Sequence, residues 1–284
     1  MHINKFPIFL VALFFSFITS IYAHNSKDNE LQESGLLNND PRYIALLGDS
    51  MTWIGGDHCE KETGWSFWFK TALPESVITS YARSGATWTN TSSTKGDVNF
   101  YSSSLDNENV VYNQALRLIN DVESGATMQP QMIIIYAGAN DAWFQKRRPG
   151  IFNTISLPDG SVADCQPSKF TSLASSVELV CRLLQENLPK AQIVLVTPTP
   201  LTKVTKATLT KISDIIDTTG QKLKIPVFRA DKKVNFDITV ESTTKRKYTT
   251  DGVHTSPSGA KYIAESVLDF IHSSLPTYNK VNNN

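Results

Sequence analysis

Apolar positions along this chain fall into two rhythms. In the first, short runs are apolar at almost every position: 43–47 (Tyr-Ile-Ala-Leu-Leu), 132–136 (Met-Ile-Ile-Ile-Tyr) and 192–196 (Gln-Ile-Val-Leu-Val). Unbroken runs of this length are expected of strands covered on both faces, as in a parallel sheet. Two more runs, 76–81 and 225–228, read as further strands. In the second rhythm apolar residues recur every three or four positions, the mark of one helix face. It covers 64–72, 108–124, 172–188, 206–222 and 257–275. Val111, Ala115, Leu118 and Ile119 share one side of the second of these helices. The last helix has Ser256 as N-cap and Pro257 at its first position, where the missing proline N–H costs nothing.

Alternating strands and helices predict an α/β protein with a doubly wound, mainly parallel five-stranded sheet. No internal repeat or second domain interrupts the pattern, so one domain is expected over 41–276. A polar linker precedes it at 24–40, and an Asn-rich tail expected to be disordered follows at 277–284. Sheets of this kind bind ligands outside the carboxyl ends of their strands, where the strand order reverses.

The amino terminus stands apart from this pattern. Lys5 precedes an apolar run from Phe6 to Ile21, which closes at Ala23 before His24-Asn25-Ser26. A basic start, an apolar middle and a small residue at the exit predict a signal peptide over 1–23 and export to a periplasmic or extracellular space. An uncleaved membrane anchor is the alternative, although the run falls short of the usual ~20 spanning residues. Export permits disulfides. Cys59 and Cys165, both in polar loops, are expected to pair, with Cys181 left as a buried thiol on a helix face. Three free thiols is the other possibility.

Composition narrows the partners. Lys+Arg and Asp+Glu both number 27, which argues against nucleic acid, whose phosphates need a basic face. Three cysteines cannot staple a fold of 284 residues, and no Cys/His cluster has zinc-ligand spacing.

The candidate chemistry collects at predicted strand ends. The first strand runs into Gly48-Asp49-Ser50, which presents a serine at its carboxyl edge. Such a serine is a nucleophile only when a base takes its proton and donors hold the oxyanion. Gly-Asp-Ser is also a common turn. After the second strand comes Arg83-Ser84-Gly85-Ala86, and Gly85 there allows a backbone N–H to approach a ligand closely. The third strand ends in Gly138-Ala139-Asn140-Asp141, where the Asn140 amide could donate to an oxyanion or merely cap a turn. Before the last helix comes Asp251-Gly252-Val253-His254, whose offset of three lets the carboxylate reach the imidazole and fix its tautomer. His58 is the competing base, with only the adjoining Asp57 beside it.

Each motif alone has an ordinary structural explanation. Taken in this order and at strand ends or helix starts, the four blocks resemble the SGNH, or GDSL-type, serine hydrolases. Methionine follows Ser50 where the GDSL name has leucine, an apolar exchange. The resemblance spans about 41–275. It implies a three-layer α/β/α sandwich of flavodoxin-like outline and a serine esterase that needs no metal or cofactor. In that reading Ser50 is the nucleophile, His254 the base and Asp251 its orienter. Backbone N–H groups of Ser50 and Gly85 and the side chain of Asn140 then form the oxyanion hole. The Gly-x-Ser-x-Gly elbow of the α/β-hydrolases is absent around Ser50.

For the ester itself, Trp53, Trp88 and Trp143 lie within a few residues of Ser50, Gly85 and Asn140, and their rings suit sugar faces. They equally suit loop packing. With no extended apolar loop to hold a long acyl chain, removal of short acyl groups, acetyl above all, from carbohydrate leads, on a glycan or small-molecule ester. A lipase or lysophospholipase is second, and a silent carbohydrate-binding relative third. The basic run Lys146-Arg147-Arg148, within an insertion over 143–170, is expected to shape specificity or bind an acidic group, or else to be a solvated loop.

Overall fold

A computed structural model describes residues 43–275. The segments expected to form a signal peptide (1–23), a linker (24–40) and a tail (277–284) lie outside the described residues. In chain order, β1 (Tyr43–Gly48) leads to α1 (Ser50–Trp53), α2 (Trp65–Ala72) and β2 (Val77–Ser80). Next come α3 (Val111–Glu123), β3 (Met132–Tyr136), α4 (Ala139–Trp143), α5 (Leu173–Asn187), β4 (Gln192–Val196) and α6 (Lys206–Lys222). The chain then forms β5 (Val227–Phe228), α7 (Ala230–Lys233), α8 (Ile238–Glu241) and α9 (Pro257–Ser274).

All pairings in the sheet are parallel, and the strand order is β2-β1-β3-β4-β5. Every residue of β1 and β3 is buried, which explains their unbroken apolar runs. Successive side chains face opposite layers. Ala45, Leu47, Ile133 and Ile135 pack with α3, α5 and α6. Ile44, Leu46, Met132 and Ile134 pack with α2 and α9. The result is the expected three-layer sandwich. Chain connections leave β1 and β3 toward opposite sides of the sheet, so a crevice opens at their carboxyl ends.

Departures from expectation sit at element ends. β5 begins at Val227 rather than residue 225. Pro226 has no N–H to give the ladder, and the Ile225 N–H turns back to the Gly220 carbonyl at 2.8 Å to close α6. α3 starts at Val111 rather than residue 108, because Val110 is extended and bridges Thr87, whose carbonyl accepts the Val111 N–H at 2.9 Å. The expected Cys59–Cys165 disulfide does not form, and all three cysteines are free. Cys59 is buried with Trp65 and Phe69 on one side of the sheet, whereas Cys165 packs against the core on the other. Cys181 is buried in α5 as expected, and burial pushes its thiol pKa far up.

Candidate active site

The serine turn is built from the sheet outward. Gly48 ends β1 with φ +150°, and a Cβ there would collide with the Tyr136 carbonyl of β3, so only glycine fits. Its backbone is gripped by a buried amide from α3. The Gly48 N–H donates to Gln114 Oε1 at 2.8 Å, and Gln114 Nε2 donates back to the Gly48 carbonyl at 2.9 Å. Asp49 is fully buried and caps α1, accepting the Met51 N–H at 3.0 Å and the Ala139 N–H at 3.3 Å. Burial pushes its pKa up to about 7, against the pull of those two N–H groups and with help from the nearby Asp141 charge. Ser50 therefore opens a short helix whose start is tied to both β1 and β3.

His254 approaches from the other side. Residues 249–255 form a small loop closed by an antiparallel bridge between Thr249 and Thr255. At its tip Asp251 Oδ1 accepts the N–H groups of Val253 at 2.9 Å and His254 at 2.7 Å. Its Oδ2 lies 2.7 Å from His254 Nδ1, and His254 Nε2 lies 3.1 Å from Ser50 Oγ. Burial alone would raise the Asp251 pKa, but the hydrogen bonds from the ring and from the two N–H groups hold it below the usual carboxylate value. With Nδ1–H directed at this carboxylate, Nε2 is left to accept the serine proton. His254, not His58, meets Ser50.

Asn140 lies in α4 at the carboxyl end of β3 and is buried. One amide hydrogen goes to the Ala86 carbonyl at 2.9 Å, which leaves the second available and ties β3 to the loop bearing Gly85. Gly85 has φ +78°, and a Cβ on it would press on the Ser104 backbone at 2.5 Å. Among the described residues neither the Ser50 nor the Gly85 backbone N–H finds a protein acceptor. Asp141 turns inward instead. It accepts the N–H groups of Trp88 and Thr89, both at 2.9 Å, and burial raises its pKa against those bonds.

The three tryptophans separate. Trp53 lines a cleft of about 500 Å³ together with Ser50, His254, Lys61, Thr63 and Ser84. Trp88, expected at the rim, is fully buried in the core beneath α3 and α5. Its backbone is drawn inward by Asp141. Trp143 is 39% exposed but does not line the cleft. Its ring stacks on Phe144 at 5.1 Å, with Lys203 Nζ 6.0 Å above it. Within the basic run, Arg148 is likewise buried, donating to the Asp106 carbonyl at 3.0 Å, so it is not part of a solvated face.

Gln114 escaped the sequence reading because it resembles any polar helix residue. The only signal was its place on the apolar side of a helix, four residues before Leu118. Comparison with known proteins bears on the arrangement as a whole. Residues 46–262 match the model of the GDSL-like lipase/acylhydrolase family. The chain belongs to that family. It is thereby a GDSL-type ester hydrolase, and Ser50 is the serine of its Gly-Asp-Ser block. Solved structures agree on the fold. An acetyl xylan esterase superposes with TM-score 0.51 at 16% identity, covering 80% of this chain and 98% of its own. A carbohydrate acetylesterase from Sinorhizobium meliloti gives 0.51 at 14%, covering 82% and 99%. A candidate GDSL-like lipase from Bacteroides uniformis gives 0.53 at 16%, covering 82% and 96%. A search of curated proteins finds no match.

Proposed function

We propose that this GDSL-family protein is an exported serine esterase that removes short acyl groups, acetyl above all, from carbohydrate. The observation that carries the catalytic part is the unbroken series Asp251 Oδ2, His254 Nδ1, His254 Nε2, Ser50 Oγ, with links of 2.7 and 3.1 Å. In this reading Nε2 takes the Ser50 proton as Oγ attacks the ester carbonyl. The oxyanion is met by the N–H groups of Ser50 and Gly85 and by the spare Asn140 amide hydrogen. Imidazolium then protonates the leaving sugar alkoxide, and water repeats the sequence to free the acid.

Support for the substrate is coarser. Two of the structural neighbours act on acetylated carbohydrate by their names. Trp53 offers one aromatic face beside Ser50, and most other cleft residues are polar or small. Export rests on the pattern of residues 1–23. The test is hydrolysis of p-nitrophenyl acetate against longer acyl esters by the chain lacking residues 1–23, alongside Ser50→Ala. Acetate preference lost with the serine is expected, and acetylated xylan is then the first polymer to try. Preference for long chains overturns the carbohydrate reading. Equal rates for the two proteins overturn the serine assignment.

A further inference from the structure

α8 is a four-residue surface turn whose only buried residue is Glu241. The one side chain this turn buries fully ends in a carboxylate. Burying a carboxylate is costly unless its lone pairs are satisfied, and here four donors converge on it. Oε1 accepts the N–H groups of Lys247 at 3.1 Å and Tyr248 at 3.0 Å. Oε2 accepts the Thr249 N–H at 2.9 Å and the Thr249 hydroxyl at 2.5 Å. Burial by itself would raise the Glu241 pKa, yet these donors hold it below the usual value, so the group is anionic at neutral pH.

What it grips is the base of the histidine loop. The Thr249 hydroxyl, having given its proton to Glu241, accepts the Gly252 N–H at 3.0 Å. Gly252 stands between Asp251 and His254, and its carbonyl accepts the Thr202 N–H at 2.9 Å. The neighbouring backbone closes the same loop, with Thr250 N–H on the His254 carbonyl at 2.7 Å and Ser256 N–H on the Tyr248 carbonyl at 2.9 Å. Glu241 itself makes no hydrogen bond to Ser50, Asp251 or His254.

We propose that Glu241 is a positioning residue for the ester-hydrolysing reaction, acting through the Thr249 hydroxyl and the Gly252 N–H to hold Asp251 and His254 in line with Ser50. The proposal rests on the triad reading above. A displacement of about 1 Å at a reacting group costs on the order of 10²-fold in rate, so the loop's hydrogen bonds act on turnover.

Glu241→Gln keeps the volume but aims an NH₂ at donors. Thr249→Val deletes the hydroxyl link, and Thr249→Ser keeps it. For Glu241→Gln and Thr249→Val, kcat on p-nitrophenyl acetate falls about 10-fold or more with KM within about 2-fold, and Thr249→Ser stays near wild type. Circular dichroism checks folding, and if Glu241→Gln fails that check, Thr249→Val decides. Unchanged kcat in folded Thr249→Val, or Thr249→Ser as impaired as Thr249→Val, overturns the proposal. A second readout needs no turnover. In a Ser50→Ala background, the low-field proton resonance of His254 Nδ1–H is expected to vanish by solvent exchange when Glu241→Gln or Thr249→Val is added. Its persistence in both overturns the proposal. This signal reports the Asp251–His254 contact alone, so it stands apart from any failure of Ser50 to control ester hydrolysis.

Discussion

The two halves of the active site are held in opposite ways. The serine half belongs to the sheet: Ser50 and Asn140 are 8% and 7% exposed, and Asp49, Gln114 and Asp141 beneath them are buried. Its supports reach across the fold, joining β1 to α3, β3 to the turn at Asp49, and α4 to the loop after β2. The histidine half is a surface loop whose Asp251 and His254 side chains are 52% and 36% exposed. Its supports are local, drawn mostly from residues 241–256. Ser50 and Asn140 thus inherit the rigidity of the core, whereas His254 depends on a few hydrogen bonds near solvent. Damage to the serine half should therefore appear first as lost stability. Damage to the histidine half should appear as lost rate in a folded protein.

The largest effect short of removing the serine is expected from Asp251→Asn. An amide in place of the carboxylate favours the wrong imidazole tautomer and cannot steady the imidazolium, and the comparable change in a serine protease costs about 10⁴ in kcat. Because Asp251 is half exposed, the melting temperature should move little. Kinetics and thermal unfolding on the same preparation check both halves of the statement. A large drop in melting temperature would break the contrast.

Gln114→Ala should do the reverse. It strands the buried Gly48 N–H, and a buried polar group left without a partner costs about 1–3 kcal/mol. Urea unfolding should give a lower midpoint with an unchanged slope, while kcat of the folded fraction stays within about 5-fold of wild type. If kcat collapses and the midpoint does not move, the serine half is not stabilised by the core in the way described.

What could be read from the sequence divides along the same line. The strands and long helices announced themselves because a buried sheet demands continuous apolar runs; 206–222 and 132–136 match α6 and β3 end to end. The candidate residues Ser50, Asn140, Asp251 and His254 stood out because they form short motifs placed just after strands or just before a helix. Their supports did not. Gln114 meets Gly48 from 66 residues away, and nothing local separates it from a solvated glutamine. Glu241 reads as one more surface acid until its turn is seen to point inward. Trp88 lies close in sequence to Gly85 yet faces the core, since proximity along a loop says nothing about which way a ring turns. The cysteine pairing failed for a related reason, as two polar loops can lie on opposite sides of one sheet.

The smallest expected effect is also the most specific, because two buried carboxylates, one in each half, respond to pH with opposite sign. Asp49 titrates near 3.9 when unfolded and at about 7 in the fold. Between those values the folded state holds a proton that the unfolded chain has released. Its contribution is thus fully present below about pH 4 and is lost as pH rises toward 7. Glu241 is lowered by its four donors, so its contribution is present above its unfolded value of about 4.3 and is lost as pH falls through its lower folded value. The windows meet only at about pH 4. Asp49→Asn should therefore flatten the decline of unfolding free energy between about pH 5 and 7, leaving the acid limb as it was. The raised pKa of Asp141 preserves part of the decline. Glu241→Gln should weaken the acid limb and leave the neutral one alone. Asparagine cannot satisfy both N–H groups that Asp49 accepts, so Asp49→Asn is less stable overall. The slope, not the height, is the quantity to compare. Identical slopes for wild type and Asp49→Asn would mean that Asp49 is already ionised in the fold, held by the Met51 and Ala139 N–H groups more strongly than burial opposes it.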